Sequence, residues 1–325
     1  MSENQTPFLS IRNLVVQYTA DGEVIHAVNE CSFELAHGRT LGLVGETGAG
    51  KTTIAKAVMR ILPDPPAKIC GGEIKLDGQD LLKLPEAEMR KIRGRKISMI
   101  FQDPMTALNP VMKVGRQIAE VIQIHSDVSK HEAEERARRM LELVGIPAER
   151  YTDYPHQFSG GMKQRVVIAI ALACSPDLLL ADEPTTALDV TIQAQVLKMI
   201  GDLKKQYNMS MLLITHDLGV IAEVCDDVAI IYAGQIVEYG TREQIFDNPL
   251  HPYTRGLFQA IPNPQTDVER LVPIEGMPQD PTVVPAGCSF ADRCPAAQKR
   301  CREMRSAYVE AEAGHFCRCF QCGGI

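Results

Sequence analysis

The segment from Leu41 to Thr53 has the residue types and the spacing needed to bind phosphate groups. It fits the pattern G-x-x-x-x-G-K-[ST] at Gly45, Gly50, Lys51 and Thr52, and it has a further glycine at Gly48. Glycines let the backbone turn successive N–H groups into one hollow, and the following helix offers its positive end to an anion. Lys51 can reach the β- and γ-phosphates of a nucleoside triphosphate, and the Thr52 hydroxyl can hold Mg²⁺. A tight turn without a ligand is the alternative, and it leaves Lys51 and Thr52 without a role.

Polar residues also stand where several predicted strands end. Gln102 follows one apolar strand, and Asp182 and Glu183 close a second. His216 comes shortly after a third. Because ligands bind at the carboxyl ends of the strands in an α/β sheet, these four residues are candidates for the same site. Taken singly, each could also be an ordinary residue of a strand end or a loop.

The elements that must position these residues can be predicted from the hydrophobic pattern. Behind the glycine-rich turn, strands alternate with helices, which predicts an α/β sheet with phosphates at its C-terminal edge. Residues 8–44 have the alternation of β-structure, with a hairpin turn at Asp21 and Gly22. Tyr18 stands just before that turn, where it could stack on an adenine or be a half-buried strand tyrosine.

A helical insert is predicted between the first and the second half of this sheet. Residues 103–157 have helical spacing with a heavily charged outer face, which indicates a solvated insert rather than sheet. Ser159 is then a plausible N-cap of a long helix, and Gly160 and Gly161 behind it leave the helix end bare for an anion.

Composition limits the class of protein. The chain has 325 residues, a net charge of −7 and no long basic run, which argues against a nucleic-acid partner. The N-terminus is polar, and the longest apolar run, Val166 to Cys174, is too short to cross a bilayer. These features predict a cytoplasmic location, where structural disulfides are rare. Six of the ten cysteines nevertheless lie between Cys288 and Cys322.

The order of these motifs along the chain resembles that of an ATP-binding cassette (ABC) ATPase over essentially its whole length. The family signature Leu-Ser-Gly-Gly-Gln stands here as Phe158-Ser-Gly-Gly-Met162, which keeps the serine and both glycines. The resemblance implies an α/β P-loop ATPase with an N-terminal antiparallel β-subdomain, a helical signature subdomain at about residues 103–157, and a small cysteine-rich extension. We predict an ATPase domain at residues 1–262 and the extension at residues 263–325.

The resemblance also implies a role for each candidate residue. The implied ATP-binding residues, with adenine stacking on the first of them, are Tyr18, Gly45, Thr47, Gly48, Ala49, Gly50, Lys51, Thr52 and Thr53. The implied Mg²⁺ ligands are Thr52, Gln102 and Asp182. Glu183 would polarise the attacking water and His216 would contact the γ-phosphate, with Gln102 as the third catalytic residue. Ser159, Gly160 and Gly161 would serve the nucleotide of a partner cassette, so one chain does not complete its own site.

Finer motifs at residues 101–110, 158–165, 251–262 and 287–295 are similar to those of ATPase subunits of bacterial di- and oligopeptide importers, a group that includes nickel importers. The similarity implies a peripheral subunit at the cytoplasmic face of the membrane that powers peptide uptake. The implied partners are two permeases, a second ATPase subunit that is favoured to be a relative, and, indirectly, an extracytoplasmic solute-binding protein. The alternatives are an importer of nickel or another small solute, or a non-transport ABC ATPase.

The cysteine-rich tail predicts a metal centre. The chain beyond Pro262 is rich in Pro and Gly, so it cannot bury much apolar surface unaided. Gaps of five and six residues separate Cys288, Cys294 and Cys301, unlike the tight pairs of most zinc sites. We expect a [4Fe–4S] cluster, with zinc or free thiols as alternatives.

The tails of related importer ATPases imply Cys319, after Gly314-His315, as the fourth ligand of this cluster. Cys317 could replace Cys319 as this ligand, and Cys322 is not expected to be a ligand. Nothing in the sequence ties the tail to the phosphate-binding segment, so the expected role of the tail is purely structural.

Overall fold

The computed structural model describes residues 7–185, 188–260 and 273–323. The predicted boundary near Pro262, between the ATPase domain and its extension, lies outside these residues and stays a prediction. The chain divides into two compact units. The first unit takes in the described residues of 1–35, 41–82 and 216–325, and the second takes in those of 36–40 and 83–215.

Each unit contains both strands and helices. The strands among the described residues are β1 Leu9–Ala20, β2 Glu23–Leu35, β3 Thr40–Val44, β4 Ala67–Leu76, β5 Gln79–Asp80, β6 Ile97–Ile100, β7 Leu178–Asp182, β8 Ser210–Ile214, β9 Asp227–Tyr232, β10 Gln235–Thr241, β11 Val309–Glu312 and β12 His315–Cys317. The helices are α1 Lys51–Met59, α2 Glu86–Ile92, α3 Pro104–Ala107, α4 Val114–His125, α5 Lys130–Leu143, α6 Gly160–Leu172, α7 Val190–Tyr207, α8 Leu218–Val224, α9 Arg242–Asp247, α10 Pro252–Gln259 and α11 Lys299–Glu303. No helix among them is long and apolar enough to cross a membrane.

The first unit contains an antiparallel sheet in the order β2-β1-β4-β5. The hairpin between β1 and β2 turns at Asp21 and Gly22, whose φ angles of 52° and 84° are those of a tight two-residue turn. The predicted hairpin at this position is confirmed. Tyr18, near the end of β1, is half-buried.

The same unit carries β3, which pairs in parallel with β9, and β9 continues antiparallel into β10. All five residues of β3 are buried, as expected of a strand covered on both faces. The glycine-rich segment leaves the end of β3 and enters α1, so the predicted strand–turn–helix is confirmed.

The cysteine-rich tail joins this sheet. Strand β12 pairs with β10, placing Cys317 opposite Glu238, and β11 pairs with β12 at the outer edge. Phe290 and Phe320 are buried as well. The tail therefore buries apolar side chains by adding to the sheet of the first unit, which the sequence pattern did not indicate.

A buried carboxylate anchors this junction. Glu238, on β10, is fully buried and accepts hydrogen bonds from the backbone N–H groups of Leu250 (2.7 Å) and His251 (2.9 Å). The Nε2 of His315, on β12, lies 2.9 Å from the same carboxylate. Burial alone would raise the pKa of Glu238, but these hydrogen bonds outweigh it and lower the pKa. One ionised side chain thus ties the start of α10 and the tail strand to β10.

The second unit contains three parallel strands in the order β8-β7-β6, each with almost wholly buried residues. Helices α4 and α5 lie within the predicted helical insert. Ser129 caps α5 by accepting a hydrogen bond from the N–H of Glu132 (3.1 Å), and the charged face of α5 is exposed.

Candidate nucleotide-binding site

The phosphate-binding loop of the first unit, residues 45–52, has the features of an anion site. Gly50, with a φ of 98°, leads into α1, and neither a side-chain cap nor an acidic residue occupies the first turn. The positive end of α1 is therefore open to an anion. Lys51 is buried, and its Nζ donates to the carbonyls of Gly45 (2.7 Å) and Glu46 (3.0 Å).

Close backbone approach explains two of the glycines in this loop. A Cβ on Gly45 would lie 2.2 Å from the carbonyl oxygen of Ile231, and one on Gly50 would lie 2.3 Å from that of Ala27. Gly48 differs, because a Cβ there would meet no atom within 4 Å, although its φ of 82° favours glycine. The loop backbone thus packs closely against β2 and β9 at Gly45 and Gly50, whereas Gly48 borders open space.

The other predicted ATP-binding residues of the first unit lie on or near this loop. The hydroxyl of Tyr18 is 3.4 Å from the Oγ1 of Thr53, on the first turn of α1. Thr47 is exposed, Ala49 is buried and Thr52 is half-buried. His216, which follows β8 along the chain, is exposed.

The second unit brings two of the predicted catalytic residues together. The Nε2 of Gln102, just beyond β6, donates to the Oε2 of Glu183 over 3.0 Å. Asp182 ends β7 and is 2% exposed, whereas Glu183 is partly exposed with a φ of 45°. A left-handed conformation is strained for a glutamate, and strain of this kind concentrates at functional sites.

A buried glutamine that the sequence did not single out supports this turn. The Nε2 of Gln164, on α6, donates to the carbonyl of Pro184 over 2.5 Å, and its side chain is 1% exposed. Gln164 belongs to the segment Phe158–Arg165, so its place in that motif was the available signal.

The predicted helix cap at the signature segment is confirmed. Ser159 precedes α6, and its Oγ accepts a hydrogen bond from the N–H of Met162 (3.4 Å). Gly160 and Gly161 form the first helical residues, and Gly160 is exposed. Phe158 stands where the family signature has leucine. Its ring is buried, and the guanidinium of Arg150 lies over it, 4.4 Å from the ring centroid.

Two residues that the sequence analysis did not single out as site residues, Tyr253 and Arg293, hold the phosphate-binding loop through Glu46. The N–H of Glu46 donates to the hydroxyl of Tyr253 over 3.0 Å, and the Glu46 carboxylate pairs with Arg293. Tyr253 belongs to the His-Pro-Tyr motif at residues 251–253, and Arg293 belongs to the cysteine-rich tail. The expectation that nothing ties the tail to this loop is wrong, because a side-chain contact formed through space leaves no local pattern in the sequence.

The His-Pro-Tyr motif owes its shape to a buried histidine. The Nδ1 of His251 accepts a hydrogen bond from the N–H of Tyr253 (3.1 Å) and thereby caps α10. Burial lowers the pKa of His251 to about 4, so the ring is neutral at pH 7. Tyr253 then packs edge-on against Tyr232, with ring centroids 4.7 Å apart.

Four of the six tail cysteines, Cys288, Cys294, Cys301 and Cys319, line one cavity. Cys317 is fully buried, and its Sγ lies 2.9 Å from that of Cys322, whose thiol also interacts with that of Cys319.

The environment of three of the cavity cysteines, Cys288, Cys294 and Cys319, raises the pKa of the thiol and favours its neutral form. Burial, with a smaller contribution from the neighbouring thiols, raises the pKa of Cys288 to about 11. Within the described ranges, no group of three or more His, Cys, Asp or Glu side chains is placed so that it could hold a metal ion.

Comparisons with solved structures identify the fold. An ATP-binding cassette dimer in a post-hydrolysis state with ADP and Pi matches with a TM-score of 0.65 and 25% identity, over 72% of this chain and 98% of that one. The CbiO1 protein of Clostridium perfringens, part of the transporter complex CbiONQ, matches with a TM-score of 0.63 and 24% identity over 75% of this chain and 92% of that one. The fold is therefore that of an ATP-binding cassette, as predicted.

Comparisons of sequence identify the family. The ABC transporter family matches residues 28–186, and the C-terminal region of oligopeptide/dipeptide transporters matches residues 237–301. A probable peptide ABC transporter ATP-binding protein of Sinorhizobium fredii is 48% identical over 98% of this chain and 96% of that protein. A dipeptide transport ATP-binding protein of Bacillus subtilis is 48% identical over 96% of this chain and 94% of that protein. The chain belongs to this family of ATP-binding proteins of peptide ABC transporters, and it is accordingly an ABC-type ATPase.

Proposed function

We propose that the chain hydrolyses ATP to drive the uptake of dipeptides or oligopeptides, as a peripheral subunit at the cytoplasmic face of the cell membrane. The observation that carries this proposal is the match of residues 237–301 to the C-terminal region of oligopeptide/dipeptide transporters. A cassette alone would not distinguish a peptide importer from a non-transport ABC ATPase. Uptake of nickel or another small solute is the second candidate, because importer ATPases of this kind do not touch the solute.

The first part of the mechanism is the binding of ATP. The N–H groups of residues 48–53 and the positive end of α1 would hold the phosphates, and Tyr18 would stack on the adenine. Lys51 now donates to two loop carbonyls. We propose that its ammonium group turns to the β- and γ-phosphates when ATP binds, because the phosphates carry more charge than the carbonyls.

The donor set fits Mg²⁺. The proposed ligands, Thr52, Gln102 and Asp182, offer hydroxyl, amide and carboxylate oxygens, which this hard cation prefers. Bound there, the ion would neutralise charge on the β- and γ-phosphates. Asp182 is buried at a strand end and would hold its carboxylate in one orientation.

The chemical step requires one general base. Glu183 would accept a proton from the attacking water, and the hydrogen bond from Gln102 orients its carboxylate. His216 would contact the γ-phosphate. His216 is exposed and Glu183 is partly exposed, so both side chains are open to solvent.

Glu183→Gln tests this assignment. It keeps the size and the hydrogen-bonding capacity of the side chain but removes the base, so we expect turnover to fall by about 10²–10⁴-fold while ATP binding persists. Lys51→Ala is the contrasting variant and should lose binding. Phosphate release by Glu183→Gln at close to the wild-type rate in the assembled transporter would contradict the role.

The proposed assembly contains two permeases and a second ABC ATPase, a relative of this chain, and it receives solute from an extracytoplasmic binding protein. Ser159, Gly160 and Gly161, at the N-terminal end of α6, would face the partner's nucleotide. No nucleic acid takes part.

Uptake by cells tests the proposed substrate class. Cells lacking the chain should lose accumulation of a labelled dipeptide or oligopeptide, and the wild-type gene should restore it. The Glu183→Gln gene is the matched control, because it supplies the same protein without turnover. Normal peptide uptake together with lost nickel uptake would instead establish the second candidate.

We also propose that the tail binds a [4Fe–4S] cluster through Cys288, Cys294, Cys301 and Cys319. Support comes from the one cavity that these four cysteines line, which includes Cys319 and not Cys317. Four cysteine thiolates are the usual ligand set of such a cluster, and zinc remains the alternative metal.

Iron content after anaerobic purification tests this cluster. The wild-type chain should be brown with about four irons, the stoichiometry of the cluster. Cys319→Ser should lose the iron, whereas Cys317→Ser, two residues away, should retain it. Colourless protein with one zinc per chain would replace the cluster by the zinc alternative.

A further inference from the structure

Arg293 belongs to the cysteine-rich tail, one residue before Cys294, yet its guanidinium reaches the phosphate-binding loop. Its Nη1 donates to the Oε2 of Glu46 (2.7 Å) and its Nη2 to the Oε1 of Glu46 (2.9 Å). Two parallel hydrogen bonds between charged groups form the strongest and most specific kind of side-chain pair. The Arg293 side chain is only 6% exposed and that of Glu46 is 26% exposed, so water screens this pair much less than a surface pair.

The guanidinium of Arg293 also donates hydrogen bonds to groups other than Glu46. Its Nε donates to the carbonyl of Glu275 (3.1 Å) and its Nη2 also to that of Ile274 (3.3 Å). Its Nη1 also donates to the hydroxyl of Tyr232 (3.4 Å), and the guanidinium lies 5.9 Å from the ring centroid of Phe290. These contacts hold the Arg293 guanidinium in one orientation independently of its pairing with Glu46. The Glu46 carboxylate raises the pKa of Arg293 further, so the guanidinium stays charged.

Glu46 occupies a critical position in the loop. It follows Gly45, its N–H donates to Tyr253, and its carbonyl accepts from the Nζ of Lys51. Backbone and side chain of this one residue are therefore both fixed. A change in the Glu46 side chain would be passed directly to the loop backbone and to the lysine proposed to bind the phosphates.

We infer that Arg293 is a positioning residue for nucleotide binding. It fixes the Glu46 carboxylate and neutralises its charge, so that the loop is preset for Mg–ATP. Without Arg293, a carboxylate in the phosphate-binding loop would be uncompensated and would repel the polyanion. The loop would also have to be ordered during binding, which costs affinity. This inference rests on the proposed role of the loop as the ATP site.

A double-mutant cycle on the full chain tests the inference, with the Kd of Mg–ATP measured by titration calorimetry. We expect Arg293→Gln to weaken binding about tenfold in the presence of Glu46, as befits the loss of a bidentate charge-assisted pair. In the Glu46→Gln background the same substitution should change the Kd less than about twofold, because no carboxylate remains to be compensated. Arg293→Lys keeps the positive charge but cannot make two parallel hydrogen bonds to the carboxylate, so it should weaken binding by about threefold.

Arg302→Gln is the matched control. Arg302 is another tail arginine, and its Nε pairs with Asp292 over 3.3 Å in an exposed pair. This variant should bind Mg–ATP as the wild type does. Metal content and the thermal midpoint of each variant show whether the tail has stayed folded.

Two results would overturn the inference: an Arg293→Gln effect of equal size in both Glu46 backgrounds, or no effect in either. Failure of the wild-type chain itself to bind Mg–ATP is distinguishable from both. It would refute the proposed ATP site, and the positioning role with it.

Discussion

The phosphate-binding loop and the cysteine-rich tail of the first unit are held in different ways. In the loop the backbone makes close contacts, because Gly45 and Gly50 lie against carbonyl oxygens of β9 and β2 and admit no Cβ. In the tail, side-chain contacts add to the pairing of β12 with β10: His315 binds Glu238 of β10, Arg293 binds Glu46, and four cysteines line one cavity. A region held by its backbone must use glycine at fixed spacing, whereas a region held by side chains can take its partners from anywhere in the chain.

The two regions meet at one residue. Glu46 belongs to the loop, but its N–H and its carboxylate are held by Tyr253 and Arg293, from the region after β10. The loop therefore depends on both kinds of support, and substitutions can separate them.

The largest expected effect comes from removing the carboxylate that joins the tail to the sheet. Glu238→Ala should lower the free energy of unfolding by about 3–5 kcal/mol, because the N–H groups of Leu250 and His251 and the ring of His315 lose a buried partner. Urea denaturation measures the change, and hydrogen exchange at residues 250–259 and 315–317 locates it. Glu243→Ala is the control, since its carboxylate is exposed and pairs with its neighbour Arg242 at the surface. Equal destabilisation by both variants would contradict an anchoring role for Glu238.

The next largest effect compares two reasons why the loop needs glycine: contact of a Cβ with a neighbouring backbone, and a left-handed backbone conformation. Gly45→Ala should destabilise the chain by about 3 kcal/mol, since its Cβ would meet a backbone carbonyl that cannot move cheaply. Gly48→Ala meets no atom and should cost only about 1 kcal/mol, the strain of a left-handed alanine. Thermal denaturation of the two variants compares these costs. If Gly48→Ala proved the more harmful, contact with β9 would not explain Gly45.

The smallest effect is a pH dependence from His251. Its pKa is about 4 when folded and lies near 6.5 when unfolded, so its contribution to stability is complete above pH 6.5 and is lost as the pH falls towards 4. Linkage predicts a loss of about 2 kcal/mol between pH 8 and pH 5 from this group. The lowered pKa of Glu238 acts in the same direction, at lower pH still.

His251→Asn tests the origin of this acid sensitivity. Asparagine can still cap α10 but does not titrate, so denaturation midpoints of the variant should vary less between pH 8 and pH 5. An unchanged pH profile would show that other groups cause the loss.

Much of the architecture was predictable from the sequence. The α/β cassette fold, the strand–turn–helix around Lys51, the hairpin at Asp21 and Gly22 and the cap at Ser159 were all expected and are confirmed. Each of these features depends on residues close together in the chain, or on a spacing that a ligand imposes. The roles of the individual site residues stay predictions, although the structure does bring Gln102 to Glu183 and Tyr18 to Thr53.

The sequence by itself therefore determined the phosphate-binding loop, because a backbone pressed against carbonyl oxygens can be built only with glycine at fixed positions. Tertiary structure alone decided which side chains support that loop. Arg293 lies 247 positions after Glu46, and no local pattern records a contact over that separation. The same holds for Cys317 and Cys319, which the sequence left as alternatives. Strand β12 ends at Cys317 and buries its thiol beside Cys322, whereas Cys319, beyond the strand, turns into the cavity with the three other cysteines.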